Sequence, residues 1–87
     1  MSPEWAQMKT LYSPASQKLS LWLRNQRELR DLTMRQAAEL IGKPHSFIGK
    51  TECGQRRLDV VEFVWYCNRL GFNPIEGIKF LLDESHH

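Results

Sequence analysis

Residues 33–52 read TMRQAAELIGKPHSFIGKTE, and this stretch decides the fold. Thr33 and Gln36 stand in the Thr-x-x-Gln arrangement of a capping box, where each side chain satisfies a backbone N–H at a helix start. The spacing predicts a short helix from Met34 to Ile41. Gly42 ends it, where a left-handed residue is wanted. Only a few residues later a second helix begins, with Pro44 at or beside its first turn. It carries Ile48 and Thr51 on one side, and Gly54 stops it. Two short helices joined by a tight glycine turn make an αα-hairpin.

Outward from this hairpin, the punctuation predicts more helices. Ser13-Pro14 opens one that runs to about Arg30; Leu19, Trp22, Leu23, Gln26 and Leu29 share one face, and its apolar members make an inward stripe. Asp59-x-x-Glu62 is a second capping-box-like start. It leads into Phe63, Val64, Cys67 and Leu70 as one apolar face, with Trp65 and Tyr66 beside it and Gly71 at the end. Asn73-Pro74 starts the last helix, whose apolar side is Ile75, Ile78, Leu81 and Leu82. Ser2-Pro3 followed by Trp5, Met8 and Tyr12 reads as either a short N-terminal helix or a loose arm. No segment alternates with period two. The expected architecture is all-α, with five core helices and an optional sixth at the N-terminus. Its divisions are an arm or short helix over 1–12, a domain over 13–83 and a tail over 84–87.

Composition bounds what such a chain does. With 87 residues, 41% hydrophobic and 25% charged, it reads as one folded domain and not as a disordered chain. A domain this small gains from dimerisation, which buries more apolar surface. The net charge of +2 is unevenly spread. Residues 43–57 balance to +3, whereas residues 58–87 balance to −3. A basic middle and an acidic end suggest one polyanion-facing surface. Cys53 and Cys67 are too few for a disulfide framework, and His45, His86 and His87 lack ligand spacing with them. No metal or other cofactor is expected, and reduced thiols fit a cytoplasmic protein. The longest apolar run, Phe63 to Cys67, is far too short for a membrane span. Glu4 and Gln7 stand where a secretory signal needs an apolar core. No catalytic residues are expected, because no carboxylate pair, Cys-His set, Ser-His-Asp set or phosphate-cradling loop stands out.

The hairpin itself is more specific than its helices. Ala38 lies four residues before Gly42, and Ile48 lies six after it. A small residue at Ala38 lets the second helix cross the first closely, and Ile48 plugs the angle between them. This small–glycine–aliphatic spacing is a moderately specific helix-turn-helix signal.

The stretch from Leu23 to Leu70 then resembles the Xre/Cro-CI helix-turn-helix family of phage-repressor-like regulators. The likeness lies in Arg27-Glu28-Leu29-Arg30-Asp31-Leu32-Thr33, Ala38-Glu39-Leu40-Ile41-Gly42 and Glu52-Cys53-Gly54-Gln55-Arg56. The run from Gly42 to Lys50 and the following Arg57-Leu58-Asp59-Val60-Val61-Glu62-Phe63 are similar to a common bacterial subgroup. The resemblance implies a cytoplasmic, bacterial or phage-encoded DNA-binding regulator, most often a repressor. It implies that the helix Pro44–Thr51 lies in the major groove of double-stranded DNA. Helical geometry then puts Ile48, Thr51 and Glu52 inward, Ser46 and Lys50 outward, Gly49 near the edge and His45 at the tip. His45, Ser46 and Lys50 are the expected base readers, Lys50 as a donor to guanine O6 and N7. Phosphate contacts are expected from the helix start at Thr33, Met34 and Arg35, and from Lys43, Arg56 and Arg57. Arg27 and Glu52 match family positions that form a partly buried ion pair, which implies a structural tie.

Three departures from the family pattern bear on affinity. Met34 replaces a phosphate-bonding glutamine, Gly49 a polar groove contact and Thr51 a larger apolar or aromatic residue. They point to weaker binding that relies on dimers or tandem sites. The helices after Asp59 and Asn73 are the expected homodimer surface. A two-fold dimer places its reading helices about 34 Å apart on a near-palindromic operator. A different class of function is a protein-interaction module, antitoxin-like or adaptor-like, motivated by Trp5 and Tyr12.

Overall fold

The computed structural model describes residues 14–85 as five helices, with no strand among the described residues. They are α1 (Pro14–Leu29), α2 (Met34–Ile41), α3 (His45–Glu52), α4 (Val60–Leu70) and α5 (Pro74–Ser85). The expected arm over 1–12, with Trp5, Met8 and Tyr12, and the tail's His86 and His87 lie outside the described residues.

Local chemistry starts and stops each element. The Thr33 hydroxyl accepts from the Gln36 amide at 3.0 Å, and Gln36 Oε1 accepts from the Thr33 amide at 2.8 Å. Asp59 and Glu62 make the same reciprocal box at α4. At α5, the Asn73 side chain accepts from the Ile75 amide at 3.0 Å, and Pro74 takes the first helical position. Gly42 adopts φ 77° and closes α2, while its amide and that of Lys43 both donate to the Ala38 carbonyl. This left-handed residue lets α3 turn sharply back across α2. α1 ends through Asp31 at φ 55°, with the Leu32 amide donating to the Arg27 carbonyl at 3.2 Å.

One core joins the helices. Trp22 and Leu23 of α1 meet Ala37, Ala38 and Ile41 of α2, Ile48 of α3 and Phe63, Tyr66, Cys67 and Leu70 of α4. Burial pushes the Cys67 thiol up to about 12, so it behaves as a small apolar group. Gly77 explains how α5 joins this core. A Cβ there would sit 2.9 Å from the Phe63 ring and 3.0 Å from Trp22. Only a residue without a side chain allows α5 to seat so closely over α1 and α4.

That seating corrects the expected face of α5. Ile75, Ile78 and Leu82 are exposed, and the inward side is Gly77 with the half-buried Phe80 and Leu81. The apolar arc is wider than the contact, and the glycine sets which part of it turns in. Leu29 is exposed too, because the chain turns away just after it and Arg27 takes the inward place at that end of α1. On α4, Val64 faces out while Tyr66, expected beside the core face, is fully buried. Helix α5 also runs to Ser85, past the expected domain end at 83.

Candidate nucleic-acid interface

The inner side of α3 is tied down at every turn. Ile48 is fully buried in the angle above Ala38. Thr51 is buried and its hydroxyl donates to the Phe47 carbonyl at 2.8 Å. Glu52 takes a bidentate pair from Arg27, with Nε to Oε2 at 2.6 Å and Nη2 to Oε1 at 3.0 Å. The third guanidinium nitrogen, Nη1, donates to the Leu32 carbonyl at 2.7 Å. The hydrogen bond to Glu52 holds the Arg27 guanidinium above its ordinary pKa, against the opposing effect of burial. The pair therefore fixes the end of α3 to α1 and to the turn before α2.

The outer side is unencumbered by the core. His45, Ser46 and Lys50 are exposed, and Gly49 is half-buried among them. Positions three and four apart share a helix face, so His45, Ser46, Gly49 and Lys50 form one contiguous polar surface. The helix starts at His45 with Pro44 as its N-cap, one residue later than expected, and no side chain caps it. The Phe47 amide donates to the Pro44 carbonyl at 2.9 Å, which leaves the His45 and Ser46 amides at the positive end of the helix without an intrahelical acceptor.

The flanking cations are gathered in two places. At the start of α2, Thr33 and Arg35 are exposed and Met34 is half-buried. The capping box uses the Gln36 amide. The amides of Met34 and Arg35 remain at the positive end of the helix, without intrahelical acceptors. On the other flank, Lys43 and Arg56 converge on the Phe47 ring. Lys43 Nζ is 5.9 Å and Arg56 Cζ 4.7 Å from its centroid. Phe47 is braced by Trp65 edge-on at 6.4 Å and by Tyr66 at 6.2 Å. Arg56 also donates through Nη2 to Glu62 Oε2 at 2.8 Å, while Glu62 Oε1 serves the α4 cap. The Gln55 and Arg56 amides both donate to the Lys50 carbonyl, which ties this turn to the end of α3. Arg57 is exposed next to it.

The structure thus brings Lys43 and Arg56 together on Phe47 beside the exposed His45, Ser46 and Lys50 of α3, and ties Arg27 to Glu52 at the inner end of that helix. Phe47 and Glu62 were not among the expected site residues. The four-residue spacing from Lys43 to Phe47 is a signal for the first. For the second, the signal is the six-residue step from Arg56 to a capping-box glutamate. Among the described residues no three His, Cys, Asp or Glu side chains gather as a metal site. No helix among them is long and apolar enough to cross a membrane.

Solved structures similar to this chain include an XRE-family like protein from Pseudomonas syringae pv. tomato str. DC3000. It is 33% identical, with a TM-score of 0.77 over 90% of this chain and 98% of that one. The restriction-modification controller protein C.AhdI from Aeromonas hydrophila is 30% identical, with a TM-score of 0.62 over 69% of this chain and 91% of that one. No protein-family model matches the chain, and no curated protein does.

Proposed function

The chain belongs to the XRE family of helix-turn-helix regulators, and from that premise we propose that it is a sequence-specific transcriptional repressor that inserts α3 into the major groove. The observation that carries this reading is the asymmetry of α3. Its inner side is immobilised by Ile48, Thr51 and Glu52, and its outer side presents His45, Ser46 and Lys50 to solvent. A rigidly held row of donors and acceptors is what base-edge reading requires.

Lys50 donates to guanine O6 and N7, and His45 and Ser46 read neighbouring edges. The Thr33 side chain and the amides of Met34 and Arg35, with Lys43, Arg56 and Arg57, hold phosphates and set the register. The protein acts as a homodimer on a near-palindromic operator. Support for that comes from the apolar side chains left outside by α4 and α5, namely Val60, Val61, Val64, Ile75, Ile78 and Leu82. The same face of α4, with the half-buried Trp65, favours a second reading as a protein-interaction module.

Fluorescence anisotropy tests the first reading, comparing DNA flanking the protein's own gene with scrambled DNA over a salt series. Lys50→Ala should weaken binding to the native segment by about 1–3 kcal/mol and leave the scrambled segment nearly unchanged. Equal, steeply salt-dependent binding to both DNAs would leave phosphate contact without reading. No binding to either would transfer the case to the protein-interaction module. Sedimentation equilibrium tests the dimer: a monomer at micromolar concentration that stays single on DNA would remove it.

A further inference from the structure

Gly49 lies in the middle of the exposed side of α3. His45 and Ser46 precede it by four and three residues, Lys50 follows it directly, and Cys53 lies four residues on. Three of the five glycines, Gly42, Gly54 and Gly71, take positive φ, and Gly77 is crowded by Phe63 and Trp22. Gly49 meets neither need. Its φ is not positive, and a Cβ built on it meets no atom of the described residues within 4 Å. The free protein has room for a side chain there, and a glycine inside a helix lowers its stability relative to alanine. Nothing among the described residues calls for a glycine at this position.

The missing side chain leaves a notch in the reading surface. Its polar groups are already used within the helix. The Gly49 carbonyl accepts from the Cys53 amide at 3.0 Å, and the Gly49 amide points back along the helix axis. The notch therefore presents only carbon-bound hydrogens, with His45, Ser46 and Lys50 as its neighbours on the same face of the helix. Among the groups that project from base edges into the major groove, the one needing no hydrogen-bond partner is the C5-methyl of thymine. We propose that Gly49 is a specificity-determining residue, whose notch seats a thymine methyl group while the side chains around it read the neighbouring edges. The proposal rests on the DNA-reading function given above.

The test begins by selecting a duplex with the wild-type protein from a randomised pool. Each thymine in the selected duplex is then replaced singly by deoxyuridine, which removes only the methyl. Wild type should lose about fourfold in affinity at one such position, the worth of one methyl group withdrawn from water. Gly49→Ala should bind the thymine duplex more weakly than wild type and be indifferent to deoxyuridine at that position. Its melting midpoint should rise by about 4–8 °C, so that lost binding is not lost folding. Gly49→Ala binding the thymine duplex as tightly as wild type, or losing the same factor on deoxyuridine, overturns the proposal. If Lys50→Ala still weakens binding in that case, the DNA-reading function stands and only the role of Gly49 falls. If the pool yields no enriched sequence at all, both fall together.

Discussion

Arg27 and Arg56 each pair with a glutamate, but only Arg27 does so out of reach of water. Arg27 and Glu52 keep 9% and 3% of their side-chain surface exposed, against 40% and 35% for Arg56 and Glu62. The buried guanidinium spends its bonds on Glu52 and the Leu32 carbonyl. The open one donates to Glu62 and lies over the Phe47 ring, and its buried Nε has no hydrogen-bond partner among the described residues. The difference separates two tasks that the same pair of residue types can perform. A desolvated, fully bonded pair is a strut, because no other anion can reach it. A half-exposed pair leaves its arginine within reach of other anions, so that in the proposed complex a phosphate takes the carboxylate's place.

The sharpest way to break this contrast is to remove one half of the strut. Arg27→Met should cost about 3–5 kcal/mol in chemical denaturation, because Glu52 is left charged and buried. The double variant Arg27→Met, Glu52→Leu should recover much of that loss. Additive losses in the double-mutant cycle would mean that the two residues act independently. Next in size is Arg56→Ala. Unfolding should change by less than about 1 kcal/mol, since the pair is open to water. DNA affinity should fall equally on native and scrambled segments, with the salt slope reduced by about one. A loss confined to the native segment would make Arg56 a reader instead. The smallest effect is expected for Glu62→Gln. Glutamine preserves the capping box at α4, so stability should hardly move. Releasing Arg56 from a charged partner should tighten DNA binding about two- to fivefold. Weaker binding would show that Glu62 positions Arg56 for the phosphate.

How far each of these features could be read from the chain depends on the range of its causes. Helix limits were legible because their determinants are local. Thr33 with Gln36, Asp59 with Glu62, and Gly42 and Gly71 each act within one turn of the boundary they make. The sidedness of α3 was legible too, because Ile48, Thr51 and Glu52 follow a helical period from the hairpin turn. The Arg27–Glu52 pair came from the family likeness, since nothing local links positions 25 residues apart. What stayed hidden was tertiary. Helix α5 has an apolar arc wider than its contact, and only the close approach at Gly77 chooses the buried part. Tyr66 looked peripheral beside Phe63 and Cys67, yet it is fully buried, with Phe47 of α3 packed against it. The Phe47 cluster draws on Lys43, Arg56, Trp65 and Tyr66, which become neighbours only after the chain has folded back on itself.

The gap at Gly77 also has a bearing on architecture at a larger scale. In a dimer joined through the outer side of α5, that helix is the axle between two reading heads. The depth at which it sits against Trp22 and Phe63 sets the angle at which each head is held. A methyl group added at Gly77 would lift the axle at both ends of a symmetric assembly. The displacement would appear as a changed span between the two grooves reached, far from the residue that caused it. The half-site spacing such a protein accepts would then be gauged by the thickness of two aromatic rings and the absence of one carbon atom.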